Sequence, residues 1–185
     1  GKSTIVDIIE AMFPVGSTET LGANQEATFG LETAFDKRVF LCPDMPRNMK
    51  KVLAQTLFQS MVTGDNVPVP KKGQNKIMVR WKNHFLFASN YLPNYEDASG
   101  SLSRRLLVFL CETPIAERDT TLKKRIIKTE LPVILLRCIS KYRKFFEKNQ
   151  AIDVMKHRLP QSMLDAREDA KEELDIVRHF ISTGS

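Results

Sequence analysis

Residues 38–44 read Arg-Val-Phe-Leu-Cys-Pro-Asp, and Val39, Phe40, Leu41 and Cys42 form an apolar run without alternation. The run is closed by Pro43, so it cannot continue as a helix. A strand with one wet face alternates apolar and polar residues. An unbroken run reads instead as a strand covered on both faces, as in a parallel sheet flanked by helices. This stretch constrains the chain most, because it requires layers on both sides of itself.

The flanking segments can supply those layers. Residues 3–13 carry an apolar helical stripe of Ile5, Ile9 and Met12, widened by Ile8, and Pro14 and Gly16 end it. Residues 15–35 are mixed and polar, with one possible helix over 24–35. Residues 47–62 have helical spacing, with Val52, Leu53, Leu57, Phe58 and Met61 available for one face. The period then changes from helix to strand. Residues 67–70 and 77–81 read as two strands around a Lys-, Gly- and Asn-rich tip at 71–76, which predicts a hairpin. Residues 84–89 predict a second buried strand and 106–111 a third. Residues 121–148 are helical, interrupted near Pro132, and 160–181 are helical and charged on one side. The expected class is α/β, with a core over 1–115 and a C-terminal α-helical region over 116–185.

Composition narrows the partners. Of 185 residues, 42% are hydrophobic and 27% charged, enough for a buried core and against general disorder. No apolar run approaches the roughly 20 residues that span a bilayer, so no membrane partner is expected. The net charge of +6 leans toward a polyanion. Cys42, Cys111 and Cys138 lack metal-ligand spacing and sit among apolar residues. They read as buried, reduced thiols of an intracellular protein. His84, His157 and His179 show no ligand spacing either. Trp81, on the return strand of the hairpin, is expected to pack in the core.

Five short stretches carry chemistry. Gly1-Lys2-Ser3-Thr4 matches the second half of the phosphate loop G-x-x-x-x-G-K-[ST]. In that reading Lys2 contacts the β- and γ-phosphates and the Ser3 hydroxyl ligates Mg²⁺; Ser3 as a helix cap is the plainer alternative. Asp44 follows the buried run, where an acid can hold Mg²⁺ or orient water, although an Asp after Pro also suits a turn. Asn90 ends the strand at 84–89, at the edge where α/β ligands bind, or simply opens a turn. Arg104 and Arg105 precede the apolar segment at 106–111. They can reach a neighbour's γ-phosphate or form an exposed basic pair. Lys71, Lys72 and Lys76 crowd the hairpin tip, where they can track a nucleic-acid backbone or merely solvate a turn. A motif cut at its middle leads us to expect a piece of a longer polypeptide.

In this order the stretches resemble a superfamily 3 helicase of the AAA+ class, most like the helicase part of primase–helicases of large DNA viruses and satellite phages. "GKST" resembles the end of Walker A and "KRVFLCPD" resembles Walker B. "TGDNVPVPKKGQNK" resembles the B-prime motif with its DNA-contacting hairpin, "FLFASN" resembles motif C, and "RRLLVF" resembles the arginine-finger segment. Arg105 matches the finger position better than Arg104. Pro43 stands where many relatives carry a second acid.

The resemblance implies an AAA+ P-loop ATPase core, with a parallel central sheet, flanking helices and a β-hairpin. It implies ATP and Mg²⁺ as ligands, single-stranded or forked DNA as substrate, and a self-assembled ring, usually a hexamer. Gly1, Lys2, Ser3 and Thr4 would bind nucleotide. Ser3 and Asp44 would hold the metal, and Asn90 would act as sensor 1. Arg105, with Arg104 beside it, would act across the subunit boundary. It further implies a primase domain upstream, and host cytoplasm or nucleus if the source is viral. The main alternative is a DNA-binding module with a degenerate, non-hydrolysing nucleotide site.

Overall fold

The computed structural model describes residues 1–21, 30–71, 73–97, 100–111, 113–114, 117, 119–150, 152–153, 155 and 158–174. The chain opens with helix α1 (Lys2–Glu10), followed by strand β1 (Thr18–Thr20) and the short helix α2 (Gly30–Ala34). Strand β2 (Val39–Cys42) leads to α3 (Met49–Val52) and α4 (Gln55–Thr63). A hairpin of β3 (Asn66–Lys71) and β4 (Gln74–Arg80) precedes strand β5 (His84–Phe87). A 3₁₀ turn (Ser103–Arg105) closes this region. Further on lie α5 (Leu122–Arg125), a π-helical stretch (Ile126–Glu130), α6 (Leu131–Lys148) and α7 (Gln161–Leu174).

The strands form two sheets. One is parallel, in the order β1-β2-β5, with Val39 opposite both Thr18 and His84. The other is the antiparallel hairpin, in which Val69 faces Ile77.

All four residues of β2 are buried, as the unbroken run requires. Val39 and Leu41 point to one face and meet Val6 of α1 and Ala88. Phe40 and Cys42 point to the other, into the larger core with Phe58, Met61, Val67, Val69 and Trp81. Helix α1 therefore covers one face, while α4 and the hairpin cover the opposite one. Trp81 is buried between the rings of Phe40 and Phe85, at 6.3 and 6.2 Å between centroids. It packs, as expected of it.

Three local expectations are corrected, and one unforeseen strand is found. The helix expected over 47–62 breaks at Leu53 and Ala54, both extended. Leu53 is buried there and its carbonyl accepts the Tyr95 hydroxyl at 2.7 Å, a tertiary bond invisible to helical spacing. The strand expected over 106–111 is not one: among the described residues the segment pairs with no strand, and Leu107, Phe109 and Leu110 are exposed. Apolar composition alone does not make a strand where no neighbour offers a ladder. Cys111 and Cys138 are exposed, and Cys42 alone is buried. Finally, β1 was not expected, because Thr-Glu-Thr carries no apolar signal.

The interruption near Pro132 takes the form of the π-helical stretch that runs into the residue before it. Proline has no N–H for the carbonyl of Lys128 and its ring crowds that carbonyl, so the widened turn takes up the mismatch. The helix expected over 24–35 lies partly outside the described residues; α2 is its described part.

Candidate functional site

Three parallel strands end on one edge, and the sequence places polar residues just beyond two of them. Asp44 lies two residues past β2, and Asn90 three residues past β5. The strand ends are bonded together. The Ala88 N–H donates to the Cys42 carbonyl at 2.8 Å, and the Met45 N–H donates back to the Ala88 carbonyl at 2.9 Å. The Ser89 hydroxyl donates to the Met45 carbonyl at 3.4 Å and accepts the Tyr91 N–H at 3.0 Å. This fixes the turn on which Asn90 sits.

Helix α1 brings the third residue. With Val6 packed on Leu41 and Ala88, its N-terminus lies at the same edge. There Lys2 Nζ donates to Asn90 Oδ1 at 2.5 Å, across 88 positions of sequence. The first turn of α1 holds no acidic residue, so the positive end of the helix dipole is not neutralised from within. The Thr4 N–H closes on the Gly1 carbonyl at 3.1 Å. The Ser3 side chain is exposed.

Asp44 is exposed and makes no hydrogen bond to a described residue. It lies near the Cys42 thiol, which burial, aided by the Asp44 charge, pushes up to about 11. The start of α1, the Lys2 ammonium, the Asn90 amide and the exposed Asp44 carboxylate thus share one sheet edge. That set suits a polyphosphate carrying a divalent cation. Magnesium takes few protein ligands beside phosphate and water, so the Ser3 hydroxyl and the Asp44 carboxylate fit it. Among the described residues no group of three or more His, Cys, Asp or Glu could hold a metal by itself.

The other predicted residues lie elsewhere. Arg104 is exposed and Arg105 half-buried on the 3₁₀ turn, where an Arg105 guanidinium N–H donates to the Ser101 carbonyl. Neither arginine bonds to Lys2, Asp44 or Asn90. Lys71 and Lys76 lie on the hairpin, on the sheet face opposite α1; Lys76 is exposed and alternates outward with Met78 and Arg80. Lys72 lies outside the described residues.

Sequence reasoning missed one pair. The Arg47 guanidinium lies 5.3 Å from the centre of the Tyr91 ring, both side chains exposed beside Asp44 and Asn90. No local pattern announces it, because the two meet only once β2 and β5 pair. The loop after Asn90 is also firmly seated. Asn94 Oδ1 accepts the Lys50 N–H at 3.2 Å, Lys50 Nζ meets Glu96 at 2.6 Å, and Gln55 Oε1 accepts the Glu96 N–H at 3.0 Å. These tie the loop following Asn90 to helices α3 and α4.

An α/β chain with a polar cluster at the carboxyl edge of a parallel sheet is the class that fold and site define. The chain belongs to the family described as a family of unknown function (DUF5906), which matches residues 1–105. That match runs from Gly1 through Arg105, so it contains every residue of the cluster and the arginine pair. No curated protein matches the chain.

Proposed function

We propose that this chain is the motor part of an ATP-dependent DNA helicase or translocase of superfamily 3, working in viral or mobile-element DNA replication. The observation that carries the reading is the bond from Lys2 to Asn90 at the edge where Asp44 also emerges. The resemblance requires a phosphate-loop lysine and a sensor amide to address one γ-phosphate. Two residues 88 positions apart meeting at 2.5 Å supports that requirement.

In this reading ATP enters at the N-terminus of α1. Its phosphates take the amides of Lys2 and Ser3, and Lys2 leaves Asn90 for the β- and γ-oxygens. Asn90 then orients the attacking water, and Asp44 accepts its hydrogen bond. A magnesium ion held by Ser3 and Asp44 would neutralise phosphate charge. Arg105 of a neighbouring protomer stabilises the transition state, so the active form is a ring, by resemblance a hexamer. Lys71, Lys72 and Lys76 contact single-stranded or forked DNA through its phosphates. A primase domain on the same polypeptide and an intracellular setting, host cytoplasm or nucleus, complete the reading. Among the described residues no helix is long and apolar enough to cross a membrane.

One observation favours a second reading. Pro43 leaves Asp44 as the one acid on this turn, which suits a DNA-binding module with a degenerate nucleotide site. Strand displacement on a forked DNA by the full-length protein separates the two. The motor reading expects unwinding that needs ATP and is lost in Lys2→Ala. DNA binding without hydrolysis supports the second reading and contradicts the first.

A further inference from the structure

Asp97 is the one buried carboxylate among the described residues, 2% exposed. A buried charge is tolerated only when donors surround it. Asp97 Oδ1 accepts the Leu102 N–H at 2.9 Å and the Ser101 hydroxyl at 3.2 Å, and Oδ2 accepts the Ser103 N–H at 2.7 Å. Burial acts to raise its pKa, but the amides of Leu102 and Ser103 and the serine hydroxyls outweigh it and hold the carboxyl below its usual 3.8.

These bonds all serve one object. They start the 3₁₀ turn Ser103–Arg105, whose last two residues are the arginine pair. The turn is completed by the Arg105 N–H on the Leu102 carbonyl at 2.8 Å, and Gly100, at φ +65°, lets the chain double back beneath it. The Arg105 guanidinium itself rests on the carbonyl of Ser101, the residue whose hydroxyl Asp97 holds. Asp97 is anchored in turn. Its own N–H donates to the Leu174 carbonyl of α7 at 3.2 Å, and the neighbouring Glu96 is bonded to Gln55 and Lys50.

We propose that Asp97 is the positioning residue of the arginine pair: its carboxylate builds the turn that presents Arg104 and Arg105 and holds the resting place of the Arg105 side chain. A three-residue turn has too few bonds of its own to fix two long side chains, and a buried acid with three donors supplies the missing constraint. The inference rests on the reading of Arg105 as a residue that acts on a neighbour's nucleotide.

The test is steady-state ATP hydrolysis by the full-length protein, with kcat and KM resolved, for wild type, Asp97→Asn, Ser101→Ala and Arg105→Ala. Asn keeps one acceptor oxygen where the carboxylate offered two. Asp97→Asn is expected to lower kcat by about tenfold with KM for ATP unchanged, because Lys2, Asp44 and Asn90 are untouched. Ser101→Ala, which leaves both backbone bonds in place, is expected to show the same split at about threefold. Mixing Asp97→Asn with Lys2→Ala protein should raise turnover above that of either alone, since the second protein delivers a sound arginine to the first. A kcat for Asp97→Asn within about twofold of wild type overturns the inference, and so does a loss that mixing fails to restore. If Arg105→Ala lowers kcat while Asp97→Asn does not, the functional reading stands and the inference falls. If Arg105→Ala itself changes nothing, both fall.

Discussion

Strand β2 and helix α6 are both rich in apolar residues, and they end in opposite environments. The four residues of β2 are all buried, while α6 spans 18 residues without one buried side chain. Leu136, Tyr142 and Phe146 of α6 are at least half exposed. The difference lies in the neighbours. Each face of β2 meets a layer fixed by hydrogen bonds elsewhere: α1 on one side, α4 and the hairpin on the other. Helix α6 continues from the π-helical stretch and no described element covers it. Hydrophobicity supplies the drive to bury, but only topology supplies the partner. The chemistry follows the same division, since Asp44 and Asn90 extend from β2 and β5, whose backbones pair with each other.

The largest expected effect on this contrast is at Phe40. Phe40→Ala removes a ring packed against Trp81 and Phe85 and should destabilise the protein by about 3–5 kcal/mol, read by denaturant unfolding. A cost below about 1 kcal/mol would remove the claim that β2 organises the core.

Thiol labelling compares the two regions directly. At pH 8 a thiol lifted from 9.0 to about 11 carries about a hundredfold less thiolate, and burial slows Cys42 further. Peptide mapping after brief alkylation should find Cys138 and Cys111 modified and Cys42 intact until the protein is unfolded. Equal labelling of Cys42 and Cys138 would erase the distinction.

A smaller effect is expected at the hairpin. Lys71→Ala combined with Lys76→Ala should weaken single-stranded DNA binding and reduce its log–log salt slope by about 1.4, about 0.7 for each phosphate that a lysine no longer neutralises. An unchanged slope would move the DNA-binding surface away from β3 and β4. The smallest effect belongs to α6. Leu136→Ser should shift stability by no more than about 0.5 kcal/mol, because the side chain is already in water.

Much of the fold could be read in the sequence where the signal is local. The unbroken run at 39–42 required cover on both faces and has it. The change of period at residue 67 gave the hairpin, and Gly73, at φ +72°, turns its tip. What failed depended on partners. The segment at 106–111 has a strand's composition and no described strand beside it. The break after α3 is set by Tyr95 and by Gln55, bonded to Glu96, from more than 40 residues away. Strand β1 is three polar residues paired only through their backbone. At the candidate site, Lys2, Asp44 and Asn90 could be singled out by their places in the pattern. Arg47 over Tyr91 could not, because neither has a distinguishing neighbour in sequence.

The central claim is that Lys2 and Asn90 address the same phosphate, and a double-mutant cycle on ATP hydrolysis by the full-length protein tests it most directly. Lys2→Ala, Asn90→Ala and the double variant would be compared with wild type by phosphate release under saturating Mg-ATP. If the two residues act as a unit, Lys2→Ala should cost about 10³-fold in kcat, and the double variant should be no worse than the more damaged single one. Losses that multiply would show two independent sites, and unchanged turnover in Lys2→Ala would show that this edge of the sheet is not where ATP is hydrolysed.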